Sequence, residues 1–421
     1  MDKYGLVLGG GGTRGAYEVG VWEALKELCI NISVIVGTSI GAVNGALFIQ
    51  SDLETIKKIW LGLDIYKCFS FAKDSNNSDL KLSISYVPSL VKEMVSGNGI
   101  NFEPFHQLLK ECIDEKKIRN SNVDFGLVTY STSSLKPVEV FKEHIPDGKL
   151  IDYLLASCCF PGFKQVEIDG EKFIDGGVYN NIPADMLLNK DISTIITVNI
   201  HGPGNVKKFP KNTKNIIEIE CSEELGPIFT FNCDTILRSI KLGYLDTLRR
   251  FEKIKGNSYY FHDEKIALTS LLAPLSESEM EFILDFIDYK NLKKDKILIM
   301  RVIRLLSKST RKIPDGNTSI LTALEITAEL LNIERCKIYT YEELLNLVIE
   351  KALDMHSDKD IFKETFVIKK YIDLVTLDFH ALRSMKKITN MRKVLGLLSP
   401  KYLIGNLFLV LIKYRMNTKN Y

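Results

Sequence analysis

Two glycine-bracketed segments near the start of the chain hold groups from which acyl-transfer chemistry could be built. The first, Gly37-Thr38-Ser39-Ile40-Gly41, is a G-x-S-x-G pentapeptide. Where such a sequence joins a strand to a helix, the turn is sharp, needs small flanking residues and exposes the serine hydroxyl above the helix start. The N–H of Ile40 would face the same space. The second is Gly9-Gly10-Gly11-Gly12-Thr13-Arg14-Gly15. Its glycines expose successive backbone N–H groups, and a helix following them adds the positive end of its dipole. The expectation is an anion site, for a phosphate or a transient oxyanion. A nucleophile beside such donors suits acyl transfer. A serine ahead of a helix is also a natural N-cap, which would give Ser39 a purely structural role.

Two other readings of the glycine loop fail on composition. Gly10, Gly12 and Gly15 satisfy G-x-G-x-x-G, but that dinucleotide fingerprint wants an acidic residue about twenty positions on. Leu28 to Ser51 contains neither Asp nor Glu. A P-loop needs Lys and Ser/Thr where Arg14-Gly15 stands. No nucleotide partner is therefore expected. An activated serine also needs a group to take its proton. Asp175-Gly176-Gly177 follows the turn Asp169-Gly170 and the apolar pair Phe173-Ile174. Its glycines would let another backbone come close, although alone it reads as an ordinary Asp-Gly turn. The order Ser39, Asp175, His201 matches the chain order of α/β-hydrolase triads. Against this, the pentapeptide arrives on the second strand, early for that fold, and His201-Gly202-Pro203-Gly204 reads as a loop. A Ser-Asp-His esterase acting on small soluble esters stands as the alternative.

The elements that must position these groups alternate tightly. Tyr4–Leu8 is a short apolar strand, Ala16–Leu28 a helix, Val34–Val36 a strand and Ile40–Phe48 a helix rich in Gly41, Ala42, Gly45 and Ala46. A βαβα start implies a parallel sheet with helices on its faces. Residues 62–100 break the rhythm and read as an inserted cap or loop. Further strands are expected at Phe125–Tyr130, Val138–Phe141, Thr194–Ile200 and Ile216–Ile219. Helices are expected at Phe105–Ile113, Leu150–Cys158 and Cys233–Ile254. Beyond about residue 263 the spacing is helical, at Glu279–Tyr289, Ser319–Leu331 and Tyr341–Met355. Two domains follow from this pattern, 1–262 and 263–421.

Taken together, Gly10-Gly11-Gly12-Thr13-Arg14-Gly15, Gly37-Thr38-Ser39-Ile40-Gly41 and Asp175-Gly176-Gly177 resemble the patatin-like phospholipase family. That family carries G-G-G-x-R/K-G, G-x-S-x-G and D-G-G or D-G-A in this order. Ala156-Ser157-Cys158-Cys159-Phe160-Pro161-Gly162-Phe163 is similar to its A-S-x-A-x-P-x-x-F segment, with Cys159 in place of the usual Ala. Asn180-Asn181-Ile182-Pro183 is similar to the segment after D-G-G. The resemblance runs from Gly5 to Thr197. More loosely, residues 233–261, with Gly243-Tyr244-Leu245-Asp246-Thr247-Leu248, are similar to an extension of bacterial members. The resemblance implies a three-layer α/β/α fold and a Ser–Asp dyad without histidine. In it Ser39 is the nucleophile and Asp175 the base. The glycine loop supplies oxyanion donors, with Arg14 nearby. It further implies hydrolysis of acyl-lipid esters such as phospholipids, with no metal and no cofactor.

Composition sets the remaining bounds. The chain has 421 residues, a net charge of +2, 45% hydrophobic and 26% charged residues, which excludes disordered and collagen-like chains. A near-neutral sum excludes a globally basic nucleic-acid binder. The charge is uneven, however. Ala381–Tyr421 holds nine basic residues and no acidic one, a +9 tail on a −7 body. Within that tail, Tyr402–Ile412 is an eleven-residue, mostly apolar run. It is too short to span a bilayer and ordinarily a core helix; its other reading is a peripheral membrane contact through 381–421, drawn to anionic lipid. Eight scattered cysteines without a C-x-x-C pair, and Lys3–Leu8 running straight into glycines without a secretory signal, lead us to expect a cytoplasmic protein, peripheral at the inner membrane face.

Overall fold

The computed structural model describes residues 2–70, 99–208, 215–262, 271–273, 275–279, 281, 316–357 and 400–418. The chain divides into two compact units, Met1–Phe251 and Glu252–Tyr421. Most of the expected insertion (71–98), most of the helix expected at Glu279–Tyr289, and residues 381–399 of the basic tail lie outside the described residues.

The first unit is built on one mostly parallel sheet. Its strands are β1 (Tyr4–Leu8), β2 (Ile32–Thr38), β3 (Asp124–Ser131), β4 (Lys136–Phe141), β5 (Val166–Ile168), β6 (Glu171–Asp175), β7 (Thr194–Asn199) and β8 (Asn215–Glu220). They run in the order β5-β6-β3-β2-β1-β7-β8, with β4 also paired to β3. The pairs β1–β2, β2–β3, β1–β7 and β7–β8 are parallel; β6 joins β3 antiparallel, as does β4.

The centre of the sheet is covered on both faces, as its uninterrupted apolar strands require. Leu6, Val7 and Leu8 are fully buried. On one face Val7, Val34, Val36 and Ile195 pack under Ile182, Leu187 and Ile192. On the other, the small-residue helix α2 (Ile40–Gln50) comes close to Ile35 and Phe125. Helix α1 (Ala16–Glu27) precedes β2. Helices α3 (Leu53–Leu61), α4 (Ile65–Cys68), α5 (Glu103–Cys112), α6 (Glu115–Asn120) and α7 (Leu150–Ser157) follow, and α8 (Cys233–Arg250) lies against α1. There the buried Tyr17 hydroxyl donates to Asp246 Oδ2 at 2.9 Å, and Asp246 also accepts from the Ser222 N–H at 3.0 Å.

The second unit is mainly helical, with α9 (Gly316–Leu330), α10 (Tyr341–Ser357) and α11 (Pro400–Thr418). A small sheet of β9 (Ile254–Lys255), β10 (Tyr260–His262) and β11 (Ile338–Tyr339) completes it. The unit division therefore falls at 251/252, ahead of the change to helical spacing at 263. Helix α11 contains the apolar run of the tail. Its Phe408, Leu411 and Ile412 are buried in one core with Leu324, Leu344 and Val348, and the helix packs on α9. Two of the tail's cations are held there as well. Arg415 is buried and pairs with Glu279 at 2.6 Å, and Lys401 pairs with Glu329 at 2.7 Å. No helix of the described residues is long and apolar enough to cross a membrane.

Candidate active site

Sheet register brings Ser39 and Asp175 together. Thr38, at the end of β2, pairs with Val128 on β3, and Asp175, at the end of β6, pairs with Thr129 on the other side of β3. Ser39 is thus level with Asp175 across two strand spacings, roughly 10 Å of backbone. The side chains turn toward each other across that gap: Ser39 acts on the Asp175 carboxyl, pulling its pKa down, and both residues line one cleft.

Ser39 sits on a strained turn between β2 and α2, with φ 55° and ψ −128°. The flanking glycines are required by close approach. A Cβ at Gly37 would stand 2.4 Å from the Gly41 carbonyl carbon, and one at Gly41 would stand 2.4 Å from the Leu8 oxygen. Ser39 occupies the N-cap position of α2, yet its side chain makes no capping bond. Its own N–H donates to Ser157 Oγ at 2.9 Å, and Ser157 Oγ donates to the Val128 oxygen at 2.6 Å. Ser157, fully buried, thereby braces the strained serine. It lies in the Ala156-Ser157 pair, the signal that could have marked it.

Asp175 is 5% exposed. Its N–H donates to the Cys159 oxygen at 2.7 Å, and its Oδ1 accepts from the Gly177 N–H at 2.7 Å. Burial pushes its carboxyl up to about 6, outweighing the nearby Ser39 side chain and the Gly177 N–H bond that pull it down. Gly176, inside the turn, leaves room for the Val128 oxygen. The Cys158 thiol lines the same cleft, and burial raises it well above the ordinary thiol range. It is therefore a neutral neighbour and not a second nucleophile.

The glycine loop lies beside this pair. Gly10 is bonded to Asn181 twice: its N–H donates to the Asn181 oxygen at 3.3 Å, and its carbonyl accepts from Asn181 Nδ2 at 3.1 Å. The N–H groups of Gly11, Gly12 and Ile40 have no partner among the described residues, and all three residues line the same cleft as Ser39. Arg14 does not join them. Its Nε donates to the Gly226 oxygen at 2.7 Å, and its guanidinium also holds the His201 oxygen, so it braces a neighbouring loop. The far end of the glycine loop is clasped from beneath through Asn44. Fully buried Glu18 accepts from Asn44 Nδ2 at 2.8 Å. Asn44 also donates to the Gly15 oxygen at 2.9 Å and accepts from Trp60 Nε1 at 3.0 Å. Burial pushes Glu18 up to about 8, which keeps it protonated at neutral pH. The sequence signal for this clasp was an acidic residue in the first turn of a core helix.

The cleft over Ser39 encloses about 750 Å³ including its open mouth. Apart from the glycine loop and Asp175, its described lining is dominated by aromatic side chains, with Phe69, Phe102, Phe160, Phe163, Phe229 and Trp60 among them. His201 is absent from that lining; its side chain is exposed and acts on Glu218. Among the described residues, no cluster of three or more His, Cys, Asp or Glu could hold a metal ion.

The patatin-like phospholipase domain-containing protein ZK370.4 of Caenorhabditis elegans is 27% identical over 269 residues, covering 61% of this chain and 18% of that protein. Patatin-like phospholipase domain-containing protein 7 of Rattus norvegicus is 30% identical over 204 residues, covering 46% of this chain and 13% of that protein. The chain thus spans less than a fifth of the length of these relatives. The crystal structure of VipD from Legionella pneumophila is 15% identical with a TM-score of 0.39, over 98% of this chain and 91% of that one; at that score nothing is transferred from it. The profile of the patatin-like phospholipase family matches residues 6–188 of this chain.

Proposed function

We propose that the first unit is a serine acyl hydrolase that cleaves fatty-acyl ester bonds of phospholipids or related lipids, as a phospholipase A or lipid esterase. The observation that carries this reading is the convergence of Ser39, the buried carboxylate of Asp175 and the open N–H groups of the glycine loop on one apolar cleft. A carboxylate titrating near 6 is ionised at neutral pH yet basic enough to accept a proton, which suits a general base. Ser39 Oγ attacks the ester carbonyl carbon while its proton passes to Asp175. The open N–H groups of Gly11, Gly12 and Ile40, on the same cleft, would hold the oxyanion. The C–O bond to the alcohol breaks, and Asp175 returns the proton to that oxygen, leaving an acyl-Ser39 ester. Water then attacks, Asp175 takes its proton and returns it to Ser39, and the fatty acid leaves.

Ser39→Ala and, separately, Asp175→Asn should each abolish hydrolysis of a short-chain ester. Activity retained by Ser39→Ala would sink the mechanism, and full loss in His201→Ala would point to a triad. Labelling of Ser39 by a fluorophosphonate separates the enzyme from an inactive lipid-binding protein, because labelling needs an activated hydroxyl. Incubating the full chain with mixed phospholipid vesicles and identifying the products names the bond cleaved.

A further inference from the structure

Residues 226–231, between β8 and α8, belong to none of the family-like motifs, yet Ile228, Phe229 and Phe231 form part of the cleft wall. This segment is fastened to the glycine loop. Arg14 Nε donates to the Gly226 oxygen at 2.7 Å, the Thr13 N–H to the Ile228 oxygen at 2.8 Å, and the Thr230 N–H to Thr13 Oγ1 at 3.0 Å. Gly12, at φ 58°, lies so close that a Cβ on it would stand 2.1 Å from the Ile228 oxygen. The fastening sets Phe229 among rings from other parts of the chain. Its centroid lies 5.6 Å from Phe69 and 6.2 Å from Phe160, both edge-on, and 6.0 Å from Phe163. Phe69 and Phe163 meet edge-on at 5.4 Å. Interlocked rings of this kind make a stiff apolar wall.

The charge of the cleft points the same way. No Lys or Arg is among the described lining residues, and the one carboxylate there is Asp175. A phosphate-bearing head group finds no counter-charge inside, whereas a hydrocarbon chain finds a matched surface.

We propose that residues 226–231 are the acyl-chain wall of the site, and that Phe229 sets the length of chain it accepts. This rests on the acyl-hydrolase reading above. The wall and the oxyanion donors are two sides of one loop, since Thr13 and Arg14 hold the wall while Gly11 and Gly12 face the serine.

The test reads chain-length preference twice. The first arm compares kcat/KM on p-nitrophenyl esters of increasing chain length for wild type, Phe229→Ala and Thr13→Val. Phe229→Ala should move the optimum to longer chains, each newly seated methylene raising kcat/KM about fourfold. Thr13→Val, which loses the bond from Thr230, should flatten the preference while Ser39 remains open to fluorophosphonate. The second arm needs no turnover. Straight-chain alcohols of increasing length are titrated into Ser39→Ala with and without Phe229→Ala, followed by the fluorescence of Trp60 in the cleft wall. The same shift is expected. A Phe229→Ala profile that is unchanged, or scaled equally at every length, overturns the proposal in either arm. Shifted binding without any ester hydrolysis would instead refute the hydrolase reading and leave the wall standing.

Discussion

Asp175→Asn should make the first unit more stable at neutral pH while destroying its activity. The carboxyl of Asp175 rises from 3.8 to about 6 on folding, because burial penalises its charged form. Below pH 3.8 it is protonated in both states and contributes nothing. Between 3.8 and 6 the folded state binds the proton more tightly than the unfolded state, so stability falls as pH rises. Above about 6 the full cost is present. A rise of about two units corresponds to roughly 3 kcal/mol. Asn is neutral throughout, and its oxygen can still accept from the Gly177 N–H that bonds Asp175 at 2.7 Å. The variant should gain up to about 3 kcal/mol at about pH 8 and close to nothing at about pH 4. In a unit of this size that gain is a rise in Tm of roughly 6–12 °C. The chain has two tryptophans, Trp22 and Trp60, both buried in the first unit, so their fluorescence follows that unit's unfolding alone. Comparing variant and wild type at each pH cancels the other titrating groups. A stability difference that does not change with pH, or a variant less stable at high pH, would refute a burial-strained carboxylate.

Three further outcomes follow from the geometry. Asp175 must be ionised to accept a proton, so kcat/KM should fall about tenfold per pH unit below about pH 6; a profile flat across that value would exclude it as the base. Ser157→Ala leaves the Ser39 N–H without its acceptor, which should cost about 1–3 kcal/mol and lower kcat more than it changes KM; lost stability with unchanged kcat would make Ser157 merely structural. Arg14→Ala should lower the Trp-fluorescence unfolding midpoint while Ser39 still labels with fluorophosphonate, since its contacts are the Gly226 and His201 oxygens; complete loss of labelling would mean that it reaches the reacting centre.

Much of the first unit was legible in the sequence. The β1-α1-β2-α2 start stands where the apolar runs and small residues put it, because strands buried on both faces leave little else in the pattern. The three motifs were legible too, since each is a short-range backbone demand. What side chains do over long range was not. Ser39 ahead of α2 reads equally as cap or nucleophile until its side chain is seen to make no capping bond and to share a cleft with Asp175, 136 positions away. Arg14 carries the motif's identity but turns from the cleft, a choice made by the loop at Gly226. Phe229 and Phe231 have no periodicity to mark them, and Ser157 shows its use only through the Ser39 N–H. The apolar run of the tail was undecided between core and interface until its contact with α9 was seen, because eleven residues suit both.

The register around β3 also has a meaning in time. A ribosome delivers the glycine loop, the strained Ser39 and its flanking glycines in one short stretch from Gly9 to Gly41, but Asp175 comes 136 residues after Ser39 and on a strand that must join from the opposite direction. A nascent chain can therefore display a finished elbow and still lack its base. Long-range pairing of this kind closes late. The acyl-hydrolase activity proposed above would thus stay silent through synthesis, switching on only when β6 zips onto β3.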